Sequence, residues 1–289
     1  MSVMEKARER VLGPLRRAKG KLFRREPAAP AEEPEKSKHP PVVMIHGLNV
    51  PRHLLMPLSR RLTSKYGRET FLPGFNSYYR DLPNSTLHVA RQIEQREYET
   101  WDAVTHSMGG VMLRWAVNHC GLAPPRRVVM IAPPNGGAWL ADHLMERWGR
   151  VPPWIFGEAM LQLRRPPRGL TDHAGLLPGI DVGIIAGGSG TPRGERNWFG
   201  YPGDTDGTVG VAETILPGMK DFVLLNHSHT ALAFSSQVTH MANLFLEHGV
   251  FRPKVRTPSS EEAEEDSAAE PEPTKEDPAA NLPADEFIE

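Results

Sequence analysis

Residues 101–118, WDAVTHSMGGVMLRWAVN, constrain the fold more than any other stretch of this sequence. A short apolar run, Ala103-Val104, enters a tight turn rich in polar residues and glycine, and apolar residues at helical spacing follow. A strand that turns sharply into a helix holds the residue at its apex in a strained backbone conformation with its side chain exposed. That residue is Ser107, and Gly109-Gly110 removes the Cβ atoms that would crowd the returning helix.

The predicted turn suits Ser107 to nucleophilic chemistry. Free N–H groups and the positive end of the dipole at the start of the next helix lie beside the serine oxygen, where an oxyanion would form. A serine hydroxyl is a poor nucleophile and needs a base within hydrogen-bond distance. The base in turn needs a carboxylate that fixes its tautomer and stabilises the imidazolium. Until such partners are found, an ordinary glycine-rich turn remains the alternative.

The chain from residue 42 alternates between strand and helix patterns. Strands are predicted at 42–45, 69–72, 102–105, 126–131, 181–186 and 219–225, and helices at 54–66, 85–99, 108–118 and 231–247. This alternation requires a parallel sheet with helices on both faces, because parallel neighbours need crossover connections. Active sites in such sheets lie at the carboxyl ends of the strands, where His46, Ser107 and Pro133 fall.

Two motifs in this sequence resemble parts of the α/β-hydrolase superfamily. The turn at Ser107 resembles the nucleophile elbow G-x-S-x-G, with Thr105 in place of the first glycine. The first strand ends in His46-Gly47-Leu48, which resembles the first oxyanion loop of the same superfamily. The resemblance covers about 42–247 and implies that the N–H groups of Leu48 and Met108 form the oxyanion hole.

The resemblance also implies an α/β-hydrolase fold, a mostly parallel, doubly wound sheet with helices on both faces and a helical cap insertion. The cap is expected at 138–178, where long apolar side chains lie on short helical pieces divided by Pro152-Pro153 and Pro166-Pro167. A packed accessory subdomain is the compatible alternative.

The catalytic acid of α/β-hydrolases follows the serine in the chain and lies on a loop after a strand. Asp206-Gly207-Thr-Val resembles the Asp-Gly-x-Val stretch that carries the acid in bacterial lipases, so Asp206 is favoured. Asp204 is the alternative, and a local turn that its carboxylate stabilises would be its other role.

The catalytic base is expected last, on the loop after the final strand. His229, followed by Thr230 and a helix, is favoured, and His227 is the alternative as a strand end or a neighbouring histidine. His106, beside the nucleophile, is interpreted as a packing residue. The combined order Ser107, Asp206, His229 therefore predicts a serine-hydrolase triad.

No metal or cofactor is expected. Bacterial lipases of this kind carry a calcium-binding aspartate two residues after the catalytic histidine, and Ala231 occupies that place here. A metal site on His227 and His229 lacks a third ligand at useful spacing.

Charge divides the chain into three parts. Residues 1–25 hold nine Lys/Arg against two Glu, and residues 259–289 hold twelve Asp/Glu against one Lys, while the net charge is only −1. We expect a basic segment and a linker at 1–40, a hydrolase domain at 41–250 and a disordered acidic tail at 251–289. No nucleic-acid partner is indicated.

The location of the protein is predicted from the absence of several signals. The basic segment lacks the apolar core of a secretory signal, and no stretch has the length of a transmembrane helix. A single cysteine, Cys120, excludes an intramolecular disulfide framework. We expect a cytoplasmic protein, with residues 1–25 either resting on an anionic membrane as a basic amphipathic helix or forming a solvated helix.

The function predicted from these features is the cleavage of carboxylic esters with a hydrophobic acyl part, through an acyl-enzyme. A thioesterase, amidase or acyltransferase would use the same triad. A non-catalytic member of the fold would bind lipid or a partner in the same cleft.

Overall fold

The computed structural model describes residues 38–77, 80–148, 157–189 and 197–252. The predicted basic segment, most of the predicted linker and the acidic tail from residue 253 onward lie outside the described residues. Residues 149–156 of the predicted cap lie outside them as well.

Six strands form one parallel sheet in the order β2-β1-β3-β4-β5-β6. The strands are β1 Val42–Ile45, β2 Thr70–Phe71, β3 Asp102–His106, β4 Arg127–Ile131, β5 Asp181–Gly187 and β6 Asp221–Leu225. The predicted α/β class is confirmed. The strand order reverses between β1 and β3, so the connections leave this point in opposite directions and open a crevice at the carboxyl ends of the strands.

Helices cover both faces of the sheet. They are α1 Met56–Tyr66, α2 Leu82–Glu94, α3 Met108–His119, α4 Trp139–Trp148, α5 Glu158–Gln162, α6 His229–Phe234 and α7 Ser236–His248, with short 3-10 turns at Arg52–Leu55 and Val211–Thr214. Alternate residues of β1 enter opposite cores, because successive side chains of a strand point to opposite faces. Val43 and Ile45 pack with α2 and α3, while Val42 and Met44 pack with α1 and α7. Across the described ranges, no helix combines the length and apolar composition needed to cross a bilayer.

Two helices differ most from their predicted bounds. The helix predicted at 85–99 begins at Leu82, because the Asp81 carboxylate accepts the Asn84 backbone N–H at 2.8 Å and caps the first turn. The continuous helix predicted at 231–247 is wrong, because the extended backbone of Ser235 (φ −72°, ψ 130°) separates α6 from α7. The Ser235 hydroxyl accepts the Val238 N–H at 3.3 Å and thereby caps α7.

Candidate active site

Ser107 lies at the apex of the turn between β3 and α3. Its backbone has φ 54° and ψ −129°, a conformation that is strained for a residue with a Cβ atom. The Ser107 N–H donates to the carbonyl oxygen of Ile131 on β4 at 2.8 Å, and its own carbonyl accepts the Gly110 N–H at 3.0 Å. The strained apex predicted from the sequence is therefore present, and both the sheet and the helix hold it.

The two glycines after the serine permit close packing at the turn. A Cβ atom on Gly109 would collide with the carbonyl oxygen of Ile45 at the end of β1. A Cβ atom on Gly110 would lie 3.3 Å from the Thr105 hydroxyl and 3.0 Å from Pro133 Cβ. Thr105 is fully buried, so Gly110 provides the room for the side chain that replaces the first glycine of the motif.

The loop after β1 runs directly against the serine. A Cβ atom on Gly47 would lie 2.9 Å from Ser107 Cβ, so the backbone of this loop contacts the apex of the elbow. Leu48 follows in the same loop and lines a cavity together with Ser107. Met108 is the first residue of α3, where N–H groups have no partner within the helix. Both segments predicted to supply oxyanion donors thus meet beside Ser107.

Asp206 and His229 form a short hydrogen bond. His229 Nδ1 lies 2.6 Å from Asp206 Oδ2, and the Asp206 side chain is 1 % exposed. The second carboxylate oxygen, Oδ1, accepts the N–H groups of Thr208 at 2.9 Å and Val209 at 2.8 Å. Both oxygens are engaged, so the carboxylate is held in one orientation toward the imidazole.

His229 is the first residue of α6, whereas the sequence predicted a loop position. Its backbone N–H donates to the Asp206 carbonyl at 3.0 Å. Its ring lines the same cavity as Ser107. The structure therefore brings Ser107, Asp206 and His229 together beyond the carboxyl ends of β3, β5 and β6.

The two alternative residues make different contacts. Asp204 Oδ1 accepts the N–H and the hydroxyl of Ser189, both at 2.9 Å, and the N–H of Thr205 at 2.9 Å. His227 Nε2 lies 2.9 Å from the Ser235 hydroxyl oxygen. Both side chains thus hold loops that carry the favoured residues. Among the described residues, no group of three or more His, Cys, Asp or Glu is arranged to hold a metal ion.

Two further histidines are buried around the elbow. His106 Nε2 lies 3.0 Å from the carbonyl oxygen of His229, a contact between residues 123 positions apart in the chain. Burial lowers the pKa of His106 to about 3 and that of His46 to about 4, so both rings are neutral near pH 7. The His46 ring stacks on Phe75 with centroids 3.9 Å apart. No sequence motif predicted the contact between His106 and the His229 carbonyl oxygen.

A cavity of about 180 Å³ opens beside the serine. Its walls are mainly apolar and come from the loop after β1, the first 3-10 turn and the segment predicted as a cap; they include Leu48, Val50, Leu54, Leu140, Met160 and Leu163. Ser107 and His229 line the same cavity. A group bound in this cavity would therefore meet apolar surface next to the serine.

Glu213 connects the loop that carries Asp206 (residues 204–210, the acid-bearing loop) to α4. Its Oε1 accepts the Trp139 N–H at 2.6 Å, and its Oε2 accepts the Gly210 N–H at 2.8 Å. Burial raises the pKa of this carboxyl group to about 7, although both N–H groups act in the opposite direction. Glu213 belongs to no motif recognised in the sequence.

Comparisons with known proteins identify the architecture. No family model matches this sequence, and no curated protein matches it. The mature form of Bacillus licheniformis lipase BlEst2 superposes with a TM-score of 0.55 at 20% sequence identity, over 76% of this chain and 96% of that chain. A structure reported among carboxylesterases of Nitrososphaera gargenis superposes with a TM-score of 0.51 at 14% identity, over 74% of this chain and 92% of that chain.

A gene product of Listeria innocua is also similar, with a TM-score of 0.50 at 17% identity, over 73% of this chain and 94% of that chain. The sheet order, the strained serine between β3 and α3 and these likenesses agree with one another. The chain has the α/β-hydrolase fold, the fold of lipases and esterases.

Proposed function

We propose that this protein is a serine hydrolase that cleaves carboxylic esters with a hydrophobic acyl part. The observation that carries this proposal is the 2.6 Å contact between buried Asp206 and His229, whose ring lines one cavity with the strained Ser107. A nucleophile, a base and a carboxylate that orients the base are the parts needed for attack on an acyl carbon. The likeness to lipases and carboxylesterases supports ester hydrolysis at the level of the fold.

In the proposed acylation step, His229 Nε2 accepts the proton of the Ser107 hydroxyl as Oγ bonds to the ester carbonyl carbon. The N–H groups of Leu48 and Met108 bind the resulting oxyanion. Asp206 keeps the base in the Nδ1–H tautomer and stabilises the imidazolium. When the carbon–oxygen bond to the alcohol breaks, His229 returns the proton to the leaving oxygen and the acyl group stays on Ser107.

The second half of the proposed reaction reverses these roles. A water molecule gives a proton to His229 and its oxygen attacks the acyl carbon. The bond to Ser107 Oγ breaks, and His229 returns the proton to the serine. The carboxylic acid product then dissociates, and the site has returned to its starting state.

The lining of the cavity supports a hydrophobic acyl part. Apolar side chains surround the space next to Ser107, and removing an acyl chain from water against them is favourable by roughly 0.8 kcal/mol per buried CH₂ group. We therefore expect kcat/KM for activated esters to rise as the acyl chain lengthens from acetyl, until the chain exceeds the cavity.

Labelling with a fluorophosphonate, together with hydrolysis of an activated-ester panel, tests the proposal. The wild-type protein should be labelled at Ser107, and Ser107→Ala should be unlabelled and retain at most about a thousandth of the activity. Ser64→Ala, which alters an exposed serine on α1, is the matched control and should behave as the wild type.

Two results would contradict the proposal. One is full activity in a folded Ser107→Ala protein. The other is a wild-type protein that is neither labelled nor active, which would favour a non-catalytic member of the fold.

A further inference from the structure

One hydrogen bond joins the strand that carries the nucleophile to the proposed base. His106 is the last residue of β3 and directly precedes Ser107. Its Nε2 lies 3.0 Å from the carbonyl oxygen of His229, and the two imidazole rings have centroids 4.8 Å apart. His106 is only 2 % exposed, so this contact is shielded from water.

The chemistry of the contact fixes the tautomer of His106. A carbonyl oxygen only accepts, so His106 Nε2 carries the proton and donates it. His106 Nδ1 is then an unprotonated acceptor, and it is buried with no hydrogen-bond partner among the described residues. The titratable groups that face the ring are His229, Asp206 and His46. The low pKa of His106 keeps its ring neutral, so it adds no positive charge beside the imidazolium proposed to form on His229.

His229 is held from two sides. On one side, Asp206 Oδ2 lies 2.6 Å from His229 Nδ1, and the Asp206 carbonyl oxygen accepts the His229 backbone N–H at 3.0 Å. His106, on the strand that leads into the elbow, donates a hydrogen bond to the backbone carbonyl oxygen of His229. Contacts with Asp206 therefore join His229 to the loop that carries the acid, and the contact with His106 joins it to the strand that leads to Ser107.

We propose that His106 is a positioning residue, whose Nε2–H bond to the His229 carbonyl sets the separation between the base and the Ser107 hydroxyl. A misplacement of about 1 Å can cost on the order of a hundredfold in rate, because proton transfer needs a defined geometry. The kinetic part of this inference rests on the proposed ester hydrolysis. The hydrogen bond itself does not.

Two substitutions at His106 separate the hydrogen bond from packing. His106→Phe keeps a flat ring of similar size and removes the donor. His106→Gln places an amide N–H close to the original Nε2 and keeps the donor. The matched control is His119→Phe at the end of α3, where His119 Nε2 makes the same kind of bond to the His173 carbonyl at 2.7 Å on the exposed side of the helix.

We expect His106→Phe to lower kcat by about 10- to 100-fold with KM for a short activated ester nearly unchanged, because the loss lies in the geometry of proton transfer. His106→Gln should recover most of kcat. His119→Phe should match the wild type in both constants. Recovery by the amide is the result that a packing role would not produce.

A second measurement does not depend on activity. The proton shared between Asp206 and His229 should give a far-downfield resonance in the NMR spectrum of the wild-type protein. His106→Phe should broaden or shift this resonance, and His106→Gln should restore it. If the wild-type protein proves inactive on esters, the proposed function fails, and this resonance alone decides the role of His106.

Two outcomes would overturn the inference. One is a folded His106→Phe protein with wild-type kcat and an unchanged resonance, which would leave His106 as a packing residue. The other is an equal loss in His106→Phe and His106→Gln, which would remove the hydrogen bond as the cause. If His106→Phe does not fold, His106→Met takes its place as the variant without a donor.

Discussion

At the scale of single residues, Asp204 and Asp206 are two positions apart in the chain and have different hydrogen-bond partners. Asp206 Oδ2 lies within hydrogen-bond distance of His229 Nδ1, at 2.6 Å, whereas Asp204 Oδ1 accepts hydrogen bonds from the N–H groups of Ser189 and Thr205. We expect Asp206→Asn to lower kcat by about 10⁴, because the base loses the carboxylate that fixes its tautomer. Asp204→Asn keeps an acceptor oxygen and should cost about tenfold at most, or ~1.4 kcal/mol in the barrier. Steady-state kinetics on one ester decides between them, and equal losses would contradict the assignment.

The two histidines after β6 provide a second comparison. His229→Ala should remove the proton acceptor, whereas His227→Ala removes a bond to Ser235. The double variant Ser107→Ala/His229→Ala should be barely slower than Ser107→Ala, because residues that act as a unit are not additive. If His227→Ala instead matches Ser107→Ala while His229→Ala stays active, the base is His227.

At the scale of elements, the start of α3 depends on contact with the end of β1. A methyl group on Gly109 would collide with the Ile45 carbonyl oxygen and lie 2.9 Å from the His46 carbonyl oxygen. We expect Gly109→Ala to destabilise the fold by about 1–3 kcal/mol, because the added methyl group would meet backbone atoms instead of a flexible side chain. Gly74→Ala is the control, since its nearest neighbour would be the flexible Arg52 side chain at 3.6 Å. Chemical denaturation of both variants measures the difference, and equal stabilities would contradict this account.

The contribution of Glu213, which links the acid-bearing loop to α4, to the stability of the fold should depend on pH. The pKa of its carboxyl group is raised from 4.5 to about 7, so the folded state binds the proton more tightly than the unfolded state. Its contribution to stability is therefore greatest below pH 4.5 and falls as the pH rises from 4.5 through 7. Relative to Glu213→Gln, the wild-type free energy of unfolding should fall by up to roughly 3 kcal/mol across this window.

Denaturation at several pH values checks the prediction for Glu213. In Glu213→Gln the amide replaces the carboxylate beside the N–H groups of Trp139 and Gly210, and this changes the free energy of unfolding by the same amount at every pH. Such an offset does not alter how the difference between the two proteins depends on pH. His46 and His106 titrate in both proteins, so their effects cancel in the difference. Parallel stability curves would show that Glu213 does not titrate in this range.

The strands and the elbow could be predicted from local sequence, and several contacts could not. Runs such as Val42–Ile45 and the Ser107 turn contain their own signals, namely continuous apolar residues and glycines after a serine. Asp206 could be proposed from the resemblance of Asp206-Gly207-Thr-Val to the stretch that carries the acid in bacterial lipases, and His229 from its position after the last strand. The bond from His106 to His229 joins residues far apart in the chain, and local spacing carries no information about it. The break between α6 and α7 at Ser235 could not be predicted either, because the apolar spacing continues across it.

At the scale of the whole molecule, the charged N-terminal segment provides a further prediction. Residues 1–25, which lie outside the described residues, hold nine Lys/Arg against two Glu. If they rest on an anionic membrane, each basic residue near the surface contributes about 1 kcal/mol, and salt should release the protein. We expect the full chain to co-sediment with anionic vesicles and not with neutral vesicles. Equal binding by a chain that lacks residues 1–25 would contradict this role.

The position of β6 has a consequence for biosynthesis. This strand pairs with β5 at one edge of the sheet, and the proposed base follows it at residue 229. The serine and the loop after β1 leave the ribosome more than a hundred residues earlier. A nascent chain that has reached only β5 therefore contains the proposed nucleophile without the proposed proton acceptor. The proposed hydrolytic activity would then arise in one late step, when the edge strand pairs with β5, and a chain that ends before that strand would be inactive even if its other strands had folded.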